Sequence, residues 1–290
     1  MNTNKGNPPV RGFLIHITHY DPVWCKEKSQ EKPFDLKLGL ELVDAMSEAG
    51  LNLIVIDCAD GVRYNSHPEL TRDYSVPMSY LGKLVERARE KNIEVVPKLN
   101  FSQSSRYHHN DWFRPHNDLF DNSDYWRIAF ELIDELIHVC RPQRFFHIGM
   151  DEDHDRAHSQ YIKAIETLRG GLKERGLRTI IWNDSSYGGR TLVHAEKCIA
   201  AEKEISKDIV QVVWDYGGVQ PEIIERIVRR GFEVWGAPGW DAGKVSAWRR
   251  ALLNNGGKGL LLTQWIPCVE ANRSRLLQFI KTVGPACSTE

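Results

Sequence analysis

The chain lacks an excess of charge of either sign. Its 38 Lys and Arg nearly balance 39 Asp and Glu, so no global field would draw it to nucleic acid or to an anionic membrane. No apolar run approaches the roughly 18–20 residues of a membrane span. The polar opening MNTNKGNPPV has no signal-peptide h-region, so export is not expected. Six cysteines (Cys25, Cys58, Cys140, Cys198, Cys268 and Cys287) are scattered without a C-x-x-C pair. That spacing argues against a zinc-finger-like site and suits reduced thiols in a cytoplasmic protein. No Gly-rich dinucleotide turn follows the first hydrophobic run, which removes the main sign of an open nucleotide-binding sheet. No linker or low-complexity segment marks a second domain.

What the sequence does have is alternation. Short β-like runs fall at 12–18, 51–57, 93–99, 144–149, 178–184, 209–215, 232–237 and 259–265. They are apolar on both faces, as parallel strands covered by helices are. Amphipathic segments lie between them at 36–49, 78–91, 123–140, 156–175, 192–204, 220–230, 242–254 and 272–283. Gly50, Ser123, Gly176 and Gly231 sit where helix ends are expected. Eight strands alternating with eight helices in 290 residues predict a single (β/α)8 TIM barrel, an α/β fold. A flexible tail is expected over 1–10 and the barrel over 11–290. The longest irregular segments, 19–35, 58–77 and 100–122, follow the first three strands, on the face where such barrels build active sites.

Residues at the C-terminal ends of the strands should converge there. In order they are His16 and His19; Asp57, Asp60 and Arg63; Asn100; His147, Asp151 and Glu152; Trp182, Asn183 and Asp184; Trp214 and Asp215; Trp235 and Trp240; Gln264 and Trp265. Each of the last four strands therefore ends near a Trp. Flat aromatic faces pack against the C–H faces of pyranose rings while carboxylates and amides hold hydroxyls, so the pattern predicts a carbohydrate pocket. The stretch R-F-F-H-I-G-M-D-E-D-H-D at 144–155 brings four carboxylates to the end of strand four. Most glycosidases place two carboxyl groups on separate strands, about 5–5.5 Å or ~6.5–9.5 Å apart. Two adjacent acids suit the substrate-assisted variant instead. There one carboxylate orients the sugar's 2-acetamido group, whose oxygen attacks the anomeric carbon. The other carboxyl protonates the leaving oxygen.

F-H-I-G-M-D-E at 146–152 resembles the His-x-Gly-Gly-Asp-Glu signature of the family 20 glycoside hydrolases, the β-N-acetylhexosaminidases, with Met150 in place of the second Gly. D-C-A-D-G-V-R-Y-N-S-H-P-E-L-T at 57–71 resembles that family's Asp-x-Gly-Trp-Arg segment and the Pro-x-Leu-Thr downstream. The resemblance implies a retaining exo-β-N-acetylhexosaminidase that needs no cofactor and acts on carbohydrates with a terminal N-acetylhexosamine. It implies Glu152 as general acid/base and Asp151 as the acetamido-orienting carboxylate. Arg63 would bind hydroxyls on the non-reducing side, His147 would support the pocket, and Trp182, Trp214 and Trp265 would wall it. Asp184 and Trp240 join these as substrate contacts by their place at the strand ends. Three features depart from the family. Its usual α/β domain ahead of the barrel is not among these residues. Strand three ends P-K-L-N-F-S-Q-S-S, with Lys98 at the Glu position and His108 or His109 as the replacement for a missing His. After strand seven G-A-P-G-W-D stands where a Tyr closes the acetamido pocket, leaving Tyr216 as the replacement.

Two other readings stay open at this level. His147, Asp151, Glu152, Asp153, His154, Asp155 and His158, with His16 and His19, are a dense oxygen and nitrogen set. Such sets serve divalent-metal-dependent barrels of the sugar isomerase or phosphoesterase type. Against this, His154 and His158 read as i, i+4 neighbours at a helix start, where Asp153 and Asp155 suit the helix N-terminus. A non-catalytic sugar-binding barrel is the third reading, favoured by the altered strand-three motif.

Overall fold

Strands that are apolar on both faces need cover on both faces, and this chain provides it by closing its sheet on itself. The computed structural model describes residues 7–104, 109–186 and 192–288. Eight strands form the barrel: β1 Val10–His16, β2 Leu53–Asp57, β3 Glu94–Lys98, β4 Phe145–His147, β5 Arg178–Asn183, β6 Val210–Trp214, β7 Glu233–Ala237 and β8 Gly259–Pro267. Each pairs in parallel with its neighbour in sequence, and β8 returns to β1. Eight helices follow in turn: α1 Leu36–Glu48, α2 Met78–Glu90, α3 Ser123–Cys140, α4 His158–Glu174, α5 Leu192–Glu204, α6 Pro221–Arg229, α7 Ala242–Asn254 and α8 Arg273–Val283. This is a single (β/α)8 barrel, as the alternation predicts. No helix among the described residues is long and apolar enough to cross a membrane.

Local chemistry sets the helix limits. Asp35 accepts from the Leu38 N–H at 3.0 Å to start α1, and Gly50 closes it in the left-handed conformation. Asn122, not Ser123, caps α3, accepting from the Tyr125 N–H at 3.0 Å. The tail expected over 1–10 ends early: Pro8 and Val10 are buried, and Val10 opens β1 by donating to the Lys258 carbonyl at 3.1 Å. α4 starts at His158, so His154 lies before the helix rather than at its start.

The period of two in a strand then sorts every side chain. Ile54, Ile56, Val95 and Val213 face outward into the layer shared with the helices. Leu14, Val55, Val96, Phe145, Ile180, Val212 and Trp235 face inward and fill the lumen. Trp235 is fully buried there and meets Phe145 edge-on at 5.4 Å. Glycine at 259 is required beside it, because a Cβ would lie 2.6 Å from the indole. Each such buried apolar side chain contributes about 1.5–3 kcal/mol by leaving water. Trp235→Ala should therefore lower the unfolding free energy by about 3–5 kcal/mol, read as an earlier midpoint in urea denaturation followed by circular dichroism.

Candidate active site

Two residues beyond the inward-facing apolar layer, the same periodicity aims polar side chains into the mouth. Register places His16 opposite Asp57, Asp57 opposite Lys98 and Lys98 opposite His147. Lys98 donates to Asp57 Oδ2 at 2.7 Å, and His16 Nδ1 lies 3.2 Å from the same oxygen. Burial pushes the Asp57 carboxyl up, but Lys98 and His16 outweigh it and hold it well below the usual carboxylate range. Burial lowers His19 to about 4, so its ring is neutral at neutral pH. His16 Nε2 and His19 Nδ1 are buried and meet no hydrogen-bond partner among the described residues. Both histidines line a pocket with Asp21, Trp24, Asp57, Lys98, Asn100, His109, Trp112, Asp151 and Trp265.

Asp151 reaches this pocket, with Glu152 next to it, through an abrupt turn after β4. Gly149 (φ 73°), Met150 (φ 75°) and Glu152 (φ 48°) all adopt left-handed backbone. That is strained for the two non-glycine residues. At Gly149 a Cβ would sit 2.1 Å from Asn100 Oδ1, so only glycine fits. Asn100 holds the turn: its Oδ1 accepts from the Met150 N–H at 3.2 Å, and its Nδ2 donates to Asp151 Oδ1 at 2.8 Å. Ser102 Oγ donates to the Asp151 carbonyl at 2.6 Å. On the other side Asp184 accepts from the Glu152 N–H and from the Trp214 indole N–H, both at 2.7 Å. Asp151 and Glu152 both remain partly exposed at the mouth. His109 approaches them, with Nε2 3.6 Å from Glu152 Oε2.

An aromatic cluster adjoins the pocket through Trp265. The Trp265 indole donates to the Tyr216 hydroxyl at 2.5 Å. Tyr216 stacks between Trp214, at 5.5 Å, and Trp240, at 5.0 Å. Burial pushes the Tyr216 hydroxyl well above its ordinary pKa, so it stays a neutral donor. Trp240 is 52% exposed, an apolar face open to solvent beside the pocket.

Several expected site residues are placed differently. Arg63 is exposed and donates to the Ser75 carbonyl at 2.9 Å, on a short ribbon (62–63 with 76–77) outside the pocket. Alternation turns it outward, because Val62 beside it is fully buried. Trp182 and His147 lie deeper than a pocket wall. Their rings pack 4.8 Å apart in the lumen, both almost fully buried, and His147 Nδ1 accepts from the Gly149 N–H at 3.0 Å. Asp184 is also buried, acting on the site through Glu152 and Trp214. The dense His/Asp set is split. Asp153 is buried against Arg156 and Lys197, while Asp155 and His158 are exposed. Of that set Asp151 and Glu152 remain together, and with His109 they offer ligand atoms within 4.8 Å of one another. His108 lies outside the described residues. Asn183 and Asp215 serve their own loops, holding the Ser185 and Gly217 N–H groups. The role of Trp112 was not legible in the sequence, although H-H-N-D-W marked the loop that carries it; its indole donates to the Asn100 carbonyl at 2.7 Å.

Asp184 supplies a test of this arrangement. Burial, reinforced by the charge of Asp151, raises its carboxyl to about 7. The folded state therefore holds a proton that the unfolded chain has lost, and stability falls as pH rises from about 4 to 7. Asp184→Asn should flatten that part of the profile relative to wild type, measured by urea unfolding across the pH range. An unchanged slope would contradict the environment described.

No family model matches the chain, and no curated protein matches it in sequence. Solved structures do match in fold. A chitobiase from Flavobacterium johnsoniae superposes with a TM-score of 0.67 at 15% identity, over 97% of this chain and 52% of that one. The N-acetyl-β-hexosaminidase of Streptomyces plicatus superposes with a TM-score of 0.73 at 12% identity, over 98% and 64%. The chain thus spans between half and two thirds of the length of these two. Dispersin B matches at 16% identity with a TM-score of 0.59, over 97% and 98%. At these identities the likeness is one of fold alone.

Proposed function

We propose that the chain is a glycosidase acting on carbohydrates with a terminal N-acetylhexosamine, by substrate-assisted, retaining and exo-type hydrolysis. The observation that carries this reading is the separate anchoring of two consecutive acids at one pocket mouth. Asn100 fixes the Asp151 carboxylate, which lines the pocket, while Asp184 fixes the backbone of Glu152 and His109 approaches its side chain. Asp151 accepts from the acetamido N–H and stabilises the positive charge that develops as the acetamido oxygen attacks the anomeric carbon. Glu152 gives its proton to the leaving oxygen, then takes one from the water that opens the intermediate. Attack by the sugar's own oxygen and then by water inverts the anomeric centre twice, so configuration is retained.

The remaining side chains fit the sugar around that axis. Tyr216, held by Trp265, offers its hydroxyl toward the acetamido carbonyl, the role of the Tyr missing after β7. His16 and His19 supply ring nitrogens without protein partners among the described residues, suited to the hydroxyls that Arg63 does not reach. Trp240 presents a face for the group beyond the scissile bond.

Wild type should release p-nitrophenol from its β-N-acetylglucosaminide or β-N-acetylgalactosaminide with EDTA present, and not from the β-glucoside that lacks the acetamido group. Glu152→Gln should lower kcat by about 10²–10⁴-fold, and proton NMR should show the β-anomer as first product. Absence of turnover on both acetamido substrates, or full activity in Glu152→Gln, would overturn the assignment. The His109, Asp151 and Glu152 cluster favours a second reading, metal-assisted hydrolysis, and activity abolished by EDTA and restored by a divalent ion would establish it.

His19→Ala tests the hydroxyl contact separately. Losing one neutral hydrogen bond should raise KM about 5- to 10-fold with kcat little changed. A KM that does not move would remove His19 from the substrate contacts.

A further inference from the structure

Among residues that do not line the pocket, three segments bring four side chains together. His67 and Glu69 come from the loop after β2, His116 from the loop after β3, and Glu131 from α3. Glu69 Oε1 lies 2.7 Å from His67 Nδ1 and 2.6 Å from His116 Nε2. His67 Nε2 lies 2.7 Å from Glu131 Oε2, which Arg127 also contacts at 3.2 Å. Both imidazoles thus present a ring nitrogen to the same Glu69 oxygen, an arrangement that a cation could bridge. We propose that His67, Glu69 and His116 bind a divalent transition-metal ion of the Zn²⁺ class.

The donor set is right for such an ion, with two imidazoles and one carboxylate whose ligand atoms lie within 4.8 Å of one another. The surrounding shell is right as well. A histidine that ligates a metal characteristically gives its other ring N–H to a carboxylate, which fixes its tautomer. Glu131 stands in that position behind His67. One turn along α3, Glu135 accepts from the N–H groups of Asn65 and Ser66 at 2.7 and 3.0 Å, tying the His67 loop to the helix. His67 is buried, whereas the Glu69 side chain is 38% exposed, leaving one side open for water as a fourth ligand. Metal–ligand bonds of about 2.0–2.1 Å put tetrahedral ligands roughly 3.3 Å apart. Glu69, the most exposed of the three ligands, is the one free to draw back.

Such an ion would clamp two active-face loops to each other. The His116 ring packs 5.7 Å from Phe113, Phe113 lies 5.0 Å from Trp112, and Trp112 lines the pocket. The assignment is independent of the hexosaminidase reading, because its test uses no substrate.

The full chain, stripped with EDTA and exchanged into clean buffer, is titrated with ZnCl₂ by calorimetry and with Co²⁺ by visible absorption. Wild type should take up one equivalent at the site, with a rise in Tm and the d–d bands of four-coordinate Co²⁺. His116→Gln, at a part-exposed position, should abolish the Tm rise. Glu131→Gln should weaken binding about 10- to 100-fold, and His109→Gln, which breaks up the other His-bearing cluster, should leave it unchanged. No stoichiometric binding by wild type would overturn the proposal and leave a proton as the bridging cation. So would binding that survives His116→Gln, or binding lost in His109→Gln.

Discussion

The ion pair between Lys98 and Asp57 is the contact on which the mouth of this barrel depends. Both side chains are almost fully buried. A charge taken out of water without a partner costs far more than a surface charge. β3 can therefore end in an inward-facing lysine only because pairing with β2 puts an aspartate beside it. Asp57 in turn holds His16 by Nδ1, which leaves Nε2 of that ring directed elsewhere. Loss of either partner would disturb the floor of the pocket as well as the strand ends that carry it.

Above that floor, the two adjacent acids are separated by what holds them rather than by distance along the chain. Asp151 is fixed through its side chain and Glu152 through its backbone, from different strands. The left-handed turn that makes this possible is tolerated because Asn100 and Asp184 supply hydrogen bonds on both sides. Replacing Gly149 would press a side chain onto Asn100, so the strained turn and the carboxylate geometry are one device.

The barrel itself was legible in the sequence. The run at 123–140 matches α3 residue for residue, and every other helix lies within two residues of expectation. The reason is local: apolar periodicity and end signals act within a few residues. The site was legible in part. Asp151 and Trp265 line one pocket, and Tyr216, Trp214, Trp240 and Glu152 adjoin them through side-chain and backbone contacts, since each lies at or just after the end of a strand. Arg63 failed because a two-residue ribbon, invisible as a pattern, turned it outward. Trp182, expected in the wall, lies in the lumen beside His147, since a strand-end position does not say how deep a side chain sits. The loop aspartates misled as well, for Asp153 begins no helix and instead neutralises buried Arg156 and Lys197.

The sequence by itself determined the alternation of eight strands and eight helices and the adjacency of Asp151 and Glu152. These follow from backbone periodicity and chain connectivity, which need no partner. Tertiary structure decided which polar side chains touch. Lys98 to Asp57, Asn100 to Asp151, Asp184 to Glu152 and His67 to Glu131 join residues 32 to 64 positions apart. Such contacts depend on strand register and loop paths, and only the closed barrel sets those.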